Sequence, residues 1–236
     1  GRVLASRSAA LAAFPDADAV RDRARRIRAE TLSQLDTHLD RFVSAVEARG
    51  GHVHFAETAA DAVQYVSGLA RRRGLTRAVK SKSMISEEVR LNDHLQAAGI
   101  VVTETDLGEW VVQIGKDHPS HIVMPIIHLT REDVARLFRA QVGATDAEVA
   151  GVPAMTQLAR RVLRARFLEA DLGISGVNFG VAETGTLCIC TNEGNGRLTT
   201  TMPRVHVAVM GIERLVPGLA DLGVMLQVLG RSATGQ

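Results

Sequence analysis

The chain has 236 residues, with 28 Lys and Arg against 26 Asp and Glu and a formal net charge of +2. That length fits one large domain or two small ones, and a hydrophobic fraction of 46% excludes wholesale disorder. The low charge and an aromatic content of 3% argue against a nucleic-acid partner. No apolar run approaches the ~20 residues that span a bilayer, and no signal peptide is evident. We therefore expect a cytoplasmic protein without a membrane span.

The first fifty residues predict helix, because apolar residues recur at three- and four-residue spacing until Gly50-Gly51. Strand and helix patterns then alternate. The predicted strands are 52–55, 77–80, 100–103, 120–128, 177–182, 186–190 and 205–210. The predicted helices are 58–73, 86–98, 130–140, 153–170 and 217–229. This rhythm predicts a parallel sheet with helices on its faces and a hairpin embedded in it. We expect one α/β domain at 51–236 and an N-terminal helical extension at 1–50.

Only three of the 28 basic residues are lysines, namely Lys80, Lys82 and Lys116. Two of them lie in Lys80-Ser81-Lys82-Ser83, which follows a predicted strand and enters a helix. In open α/β sheets ligands bind beyond the carboxyl ends of the strands. The segment therefore predicts a pocket for a carboxylate or a phosphate, and two solvated lysines are the alternative.

Acidic residues follow the predicted strand 100–103, where Glu104, Asp106 and Glu109 fall within six residues. They could supply a general base or orient a cation. The pattern is equally consistent with Asp106 capping the next helix.

Two polar segments near the C-terminal third are the most unusual in the chain. Glu183 lies between two apolar strands, where burial of an acid requires partners or a task. The segment 191–197 combines Asn192, Glu193, Asn195 and Arg197 with two glycines. An ordinary hairpin turn needs only an Asn-Gly pair, so the excess of polar groups favours a binding site over a simple turn.

The cysteines and histidines predict no metal site. Cys188 and Cys190 are two residues apart on a predicted strand and share one face, which favours core packing. No metal-ligand spacing occurs among the eight His. His128 and His206 are the two that could face a pocket, although each alone favours a hydrogen-bonded structural role.

Several of these segments, in this order, resemble the LUD domain of lactate-utilisation proteins, and most closely the LutB-type iron–sulfur subunit. They are Val79–Met84, Glu104–Glu109, Pro119–Val123, Gly176–Thr186, Thr191–Arg197 and Pro203–His206. The resemblance covers essentially the whole chain. It implies a part in a three-component system that oxidises L-lactate to pyruvate. It also implies a Rossmann-like three-layer αβα sandwich related to the sugar-phosphate isomerase and CoA-transferase superfamily.

The cysteine content departs from the LutB-type pattern. Those proteins carry a C-terminal ferredoxin-like segment that ligates [4Fe–4S] clusters, each of which usually requires four Cys. This chain has two. We therefore expect it to be the LUD portion of a longer protein, with no cofactor of its own and the clusters in a missing C-terminal segment.

The leading hypothesis is a component of an oxidoreductase complex that binds a small carboxylate or phosphate-bearing metabolite and sister lactate-utilisation subunits. Lys80, Lys82 and Arg197 would supply positive charge, and Glu183 or Glu193 would act as acid, base or orienting group. The predicted catalytic residues are Glu183, Glu193 and Lys82. The predicted substrate-binding residues are Lys80, Ser81, Ser83, Asp106, Glu109, Asn178, Thr184, Asn192, Asn195 and Arg197. The alternatives are a CoA-transferase-like or sugar-phosphate-isomerase-like enzyme and a non-catalytic assembly domain.

Overall fold

The computed structural model describes residues 2–118, 120, 125–191 and 193–233, and the chain divides into two units. One, here called the sheet unit, comprises Phe55–Gly176 and Cys190–Val209. The other, the terminal unit, comprises the residues up to His54, Val177–Ile189 and the residues from Met210 onward. The boundary expected between residues 50 and 51 remains a prediction.

The helices of the described residues follow the order of the chain. They are α1 Arg2–Ala12, α2 Ala17–Ser33, α3 Leu35–Glu47, α4 Ala59–Arg73, α5 Met84–Glu88, α6 Leu91–Ala97, α7 Leu107–Gly115, α8 Arg131–Val142, α9 Val152–Glu169, α10 Asn195–Thr201 and α11 Leu219–Ala233. Short 3-10 turns occur at Ala147–Val149 and Ile212–Arg214. Within the described ranges, no helix has the length and apolar character needed to cross a bilayer.

The strands are short and form two sheets. They are β1 Arg77–Lys80, β2 Val101–Glu104, β3 Leu172–Gly176, β4 Phe179–Val181, β5 Thr186–Cys188, β6 Val205–Val209 and β7 Leu215–Val216. The sheet unit contains a parallel four-stranded sheet in the order β2-β1-β3-β6. The terminal unit contains a three-stranded sheet in the order β5-β4-β7.

Helices cover both faces of the parallel sheet, as the alternating pattern predicts. Consecutive β1 side chains point to opposite faces, and Ala78 and Val79 belong to different hydrophobic clusters. The Ala78 cluster includes Val63 of α4 and Leu95 of α6. The Val79 cluster includes residues of α7, α8 and α9, among them Trp110, Phe138 and Leu163. The mixed α/β class with a parallel sheet is therefore confirmed.

The hairpin predicted to lie within this sheet belongs to the terminal unit instead. β4 pairs antiparallel with β5 and parallel with β7. The core of this small sheet includes Phe179, Val181 and Val216, packed with Ile27 of α2 and Val224 of α11. The expectation of one sheet was wrong because hydrophobic alternation identifies a strand but not its neighbours.

Local signals at helix ends were reliable. Thr58 caps α4 by accepting a hydrogen bond from the Asp61 N–H, and Gly74 ends the helix in the left-handed conformation. Thr130 and Asp133 form a reciprocal capping box at the start of α8. The first fifty residues are helical as predicted, divided into α1, α2 and α3.

Other predicted elements were wrong. Residues 52–55 are irregular; none of the described strands pairs with them, and the Phe55 side chain is exposed. In the segment 120–128, the described residues form a bend and turns, and residues 121–124 lie outside the description. The helix predicted over 86–98 is broken by Arg90, whose φ of 51° separates α5 from α6. Strand β3 was missed because its two glycines and one serine weaken its strand pattern.

Candidate functional site

The ends of the neighbouring strands β1 and β2 bring together a buried ion pair. Lys80 and Glu104 are register partners, and the Lys80 Nζ lies 2.9 Å from the Glu104 Oε1. Lys80 has no exposed surface, and Glu104 is 6% exposed. Asn92 of α6 donates from its Nδ2 to the same Glu104 oxygen at 2.5 Å. Both charged groups are thus removed from water. A buried ion pair is screened much less than an exposed one.

Lys82 lies two residues further along and contacts the start of α7. Its Nζ pairs with the Glu109 carboxylate, and its backbone N–H donates to the Asp106 Oδ2 at 2.7 Å. The Lys82 side chain is 27% exposed. Unlike the fully buried Lys80, the Lys82 side chain is therefore partly open to solvent.

The segment before α10 is attached to the same place. The Asn195 Nδ2 donates to the Thr105 Oγ1 at 3.1 Å and to the Asp106 Oδ2 at 2.8 Å. The Glu193 Oε2 accepts a hydrogen bond from the Leu107 N–H in the first turn of α7 at 3.1 Å. Three sequence-distant segments, 80–83, 104–109 and 193–195, therefore converge at one edge of the parallel sheet.

The Asp106 carboxylate joins loops and does not cap α7, which was the alternative role considered for it. Asp106 occupies the N-cap position of α7 with an extended backbone, but its side chain makes no capping hydrogen bond. It accepts instead from the Lys82 backbone and the Asn195 amide. Its side chain thereby fixes two loops relative to each other.

Carboxylates outnumber lysines where these loops meet. Among the described residues, the mutually interacting charged groups are two lysines, Lys80 and Lys82, and five acids, Glu87, Glu104, Asp106, Glu109 and Glu193. Burial, followed by the charges of Asp106 and Glu109, raises the pKa of Glu193 despite the hydrogen bond from Leu107. Burial also raises the pKa of Glu87. An incoming anion must compete with Glu109 for Lys82, and protonation of Glu87 or Glu193 would favour it.

The raised pKa of Glu193 leads to a pH-dependent prediction for Glu193→Gln. Between the ordinary Glu pKa and the raised one, the folded wild type binds a proton more tightly than the unfolded chain. Its stability therefore falls as the pH rises through that window. The variant has no such loss and should be the more stable protein at pH 7, by less than about 1 kcal/mol because solvent screens an exposed side chain. Urea unfolding at pH 4 and pH 7 measures the difference.

Glu132→Gln is the control of opposite sign, because the hydrogen bond from Arg131 lowers the pKa of Glu132. That variant should lose stability relative to wild type at pH 7 and recover it as the pH falls. A Glu193→Gln variant that is less stable than wild type at pH 7 and equal to it at pH 4 would contradict the assigned direction.

The remaining predicted residues of the sheet unit have structural contacts. The Ser81 N–H continues the β1–β3 pairing by donating to the Ile174 carbonyl oxygen at 3.0 Å. Ser83 caps α5 by accepting from the Ser86 N–H. Arg197 is exposed on α10, and Asn192 lies outside the described residues. The ligand-binding roles of all four remain predictions.

Three predicted residues belong to the terminal unit. Glu183 is exposed, so the premise that it is a buried acid was wrong. The Thr184 Oγ1 donates to the Thr186 Oγ1 at 2.8 Å, and the Asn178 N–H donates to the Cys188 carbonyl oxygen at 2.9 Å. Their roles toward a ligand remain predictions.

Both histidines singled out from the sequence are hydrogen-bonded. The His206 Nε2 lies 2.8 Å from the Ser175 Oγ of the neighbouring strand, and burial lowers the pKa of His206. The His128 ring lies 2.6 Å from the Ser120 Oγ and 2.9 Å from the Asp117 Oδ2. These contacts agree with the structural role considered for each.

Glu87, Asn92 and the partnership of Glu104 were missed from the sequence. Glu104 was noted for its position, but nothing indicated that it would face Lys80 across two strands. Glu87 lies on an exposed helical turn, and Asn92 lies in an ordinary polar helix. In the part of the chain that the structure describes, no group of three or more His, Cys, Asp or Glu side chains could hold a metal ion.

Comparison with known proteins shows the family of the chain. The model of the LUD domain matches residues 39–236. The chain is 47% identical over 215 residues to the "Uncharacterized electron transport protein YkgF" of Escherichia coli K12, covering 91% of this chain and 45% of that protein. It is 45% identical to "Lactate utilization protein B" of Bacillus pumilus over 92% of this chain and 46% of that protein.

A third relative, "Lactate utilization protein B" of Macrococcus caseolyticus, is 46% identical over 92% of this chain and 45% of its own length. The chain thus spans slightly less than half the length of these relatives. No solved structure matches it significantly.

Proposed function

Because the chain belongs to the LUD domain family, we propose that it is the LUD part of a protein that helps oxidise L-lactate to pyruvate. Its sheet unit binds the carboxylate of lactate through Lys82. Electrons pass to [4Fe–4S] clusters held outside these residues, and sister subunits complete the complex. The name "Lactate utilization protein B" of relatives that are 45% and 46% identical in sequence to this chain supports the proposal.

The convergence of three loops around Lys82 carries the proposal. The loops lie at the carboxyl end of parallel strands, which is where open α/β sheets bind their ligands. Lys82 is held there by its backbone bond to Asp106, and Asp106 is held by Asn195. A lysine fixed at its backbone but accessible at its ammonium group is suited to position a small anion.

The chemistry of a 2-hydroxy acid requires two kinds of group near one another. A cation must hold the carboxylate, and a group that can gain or lose a proton must lie near the carbon that bears the hydroxyl group. Lys82 supplies the first. Glu193, whose pKa is raised by burial and by neighbouring acids, is the acid or base of the proposal. All of these residues belong to the sheet unit.

Lys82→Ala should weaken L-lactate binding about tenfold or more, because it removes a hydrogen bond to a charged group worth about 1.5–3 kcal/mol. Isothermal titration calorimetry on the 236-residue chain measures the dissociation constants. Lys82→Arg should recover part of the affinity, since it keeps the charge but changes its geometry.

Lys116→Gln is the control. Lys116 is the third lysine of the chain, after Lys80 and Lys82, and it lies exposed at the end of α7. The substitution removes one exposed positive charge and should leave lactate affinity unchanged. Equal affinity in wild type and Lys82→Ala would contradict the proposed carboxylate site.

The proposal includes a relationship between the fold of this chain and the sugar-phosphate isomerase and CoA-transferase superfamily. The parallel sheet with helices on both faces supports that relationship. A transferase-like alternative would use Glu193 as the residue that forms a bond to substrate, since it lies in a glycine-rich segment of the kind that lets ligands approach. An assembly domain without a ligand of its own is the second alternative, and it would bind no lactate in the titration.

A further inference from the structure

The buried Lys80–Glu104 ion pair leaves hydrogen-bonding capacity unused. Among the described residues, buried side-chain atoms without a hydrogen bond include the Lys80 Nζ, the Glu104 Oε2 and the Asn92 Oδ1. All three side chains meet at the Glu104 Oε1, which contacts the Lys80 Nζ and the Asn92 Nδ2. Buried polar atoms are nearly always paired with protein, water or ligand, so three at one place indicate a bound group.

The unpaired atoms determine which hydrogen-bond donors and acceptors the bound group must have. The lysine ammonium retains N–H donors, whereas the Glu104 Oε2 and the Asn92 Oδ1 are acceptors. A partner must therefore both accept from Lys80 and donate to an oxygen. A hydroxyl group does this with one atom, since it can accept from Lys80 and donate its single proton to one of the two oxygens, whereas a carboxylate has no donor.

The pair is buried but borders the more accessible part of the candidate site. Glu87 of α5 is exposed, and its carboxyl group interacts electrostatically with Lys80, Glu104, Lys82 and Glu109. The Thr105 N–H donates to the Lys80 carbonyl oxygen at 2.9 Å, and the Lys82 N–H donates to the Asp106 Oδ2 at 2.7 Å. The buried pair therefore adjoins the Lys82–Asp106 contact along both segments.

We propose that Lys80, Glu104 and Asn92 form a hydroxyl subsite, in which the hydroxyl group of a 2-hydroxy carboxylate accepts from the Lys80 ammonium and donates to the Glu104 carboxylate. The inference rests on the proposed function, because Lys82 must hold the carboxylate of the same molecule. The hydroxyl group of the ligand replaces any water molecule at this position. The subsite distinguishes 2-hydroxy acids from simple carboxylic acids of the same length.

Calorimetric titration with L-lactate and with propionate, which lacks only the hydroxyl group, tests the subsite. Wild type should bind L-lactate about tenfold or more tightly than propionate, as expected for a hydrogen bond to charged groups. Glu104→Gln and Asn92→Ala should reduce this ratio toward one while changing propionate affinity by less than about twofold. Asn92 is only partly buried, so its variant should fold even where Glu104→Gln does not.

Gln96→Ala is the control, because Gln96 is exposed on the same helix as Asn92; it should keep the wild-type ratio. Equal binding of L-lactate and propionate by wild type would overturn the subsite while leaving the carboxylate site of the proposed function intact. A wild-type ratio retained in Asn92→Ala and in folded Glu104→Gln would also overturn it. A water molecule still bound between Lys80 and Glu104 in a lactate-bound crystal structure would do the same. Failure of both ligands to bind would refute the subsite and the lactate site together.

Discussion

Replacing Lys80 by Met should lower the free energy of unfolding by about 3–5 kcal/mol, because it leaves the buried Glu104 carboxylate without its counter-ion. Lys80 has no exposed surface and Glu104 is 6% exposed, so solvent cannot compensate for the lost charge. In the variant the Asn92 Nδ2 still donates to the Glu104 Oε1, but a neutral amide does not balance the charge of the carboxylate. Urea unfolding of wild type and variant, followed by circular dichroism, measures the difference.

Two further variants show whether the effect belongs to the buried pair. The double variant Lys80→Met with Glu104→Leu should recover much of the loss, since it removes both charges together. Arg166→Met breaks the exposed pair between Arg166 and Glu169 on α9 and should cost less than about 1 kcal/mol. A Lys80→Met variant as stable as Arg166→Met would show that the charge of Glu104 is compensated elsewhere.

Gly173→Ala should destabilise the sheet unit by about 3 kcal/mol or more, at or beyond the upper end of ordinary overpacking. A Cβ at Gly173 would collide with the backbone carbonyl oxygen of Thr199 in α10. Backbone cannot rotate away as a side chain does, so α10 must move off β3. Because Asn195 begins α10 and binds Asp106, L-lactate affinity should fall with stability.

Gly223→Ala is the matched control for the glycine substitution. Gly223 lies within α11, and a Cβ there would meet no atom within 4 Å. Ala is favoured over Gly inside a helix by about 1 kcal/mol, so this variant should be at least as stable as wild type. If Gly173→Ala proved equally harmless, the close approach of α10 to β3 would be refuted.

The sequence predicted elements well where the signal is carried by adjacent residues. Strand β1 was predicted at its observed bounds, and helix α4 was predicted with its Thr58 cap and its Gly74 end. The signals at the two ends of α4 each involve residues within one helical turn. A side chain satisfies a free N–H, or a glycine adopts a left-handed conformation, without help from distant residues.

Elements whose signal depends on distant packing were missed. Strand β3 carries Gly173 and Gly176, which weaken its strand pattern, yet both glycines lie against other parts of the fold. A Cβ at Gly173 would meet α10, and a Cβ at Gly176 would lie 2.9 Å from the Ser83 Oγ. The residues that made β3 hard to recognise are those that let it sit at the centre of the sheet.

The candidate site shows the same division. Its lysines, Asp106, Glu109, Glu193 and Asn195 were identified from the sequence because polar residues cluster after predicted strands, where ligands bind. The partners of these residues were not identified. Lys80 faces Glu104 because β1 and β2 are parallel neighbours in a fixed register, and register is a property of two segments rather than of either one.

By itself, the sequence determined the alternation of strands and helices, the family and the chemical groups gathered at the strand ends. The alternation follows from hydrophobic periodicity and capping, which act over a few neighbouring residues, and the family follows from the resemblance of several sequence motifs. Only the tertiary structure decided the order β2-β1-β3-β6, the separation of the hairpin into another sheet and the burial of Lys80 against Glu104. Strand pairing and charge burial depend on contacts between residues far apart in the chain, which local pattern does not encode.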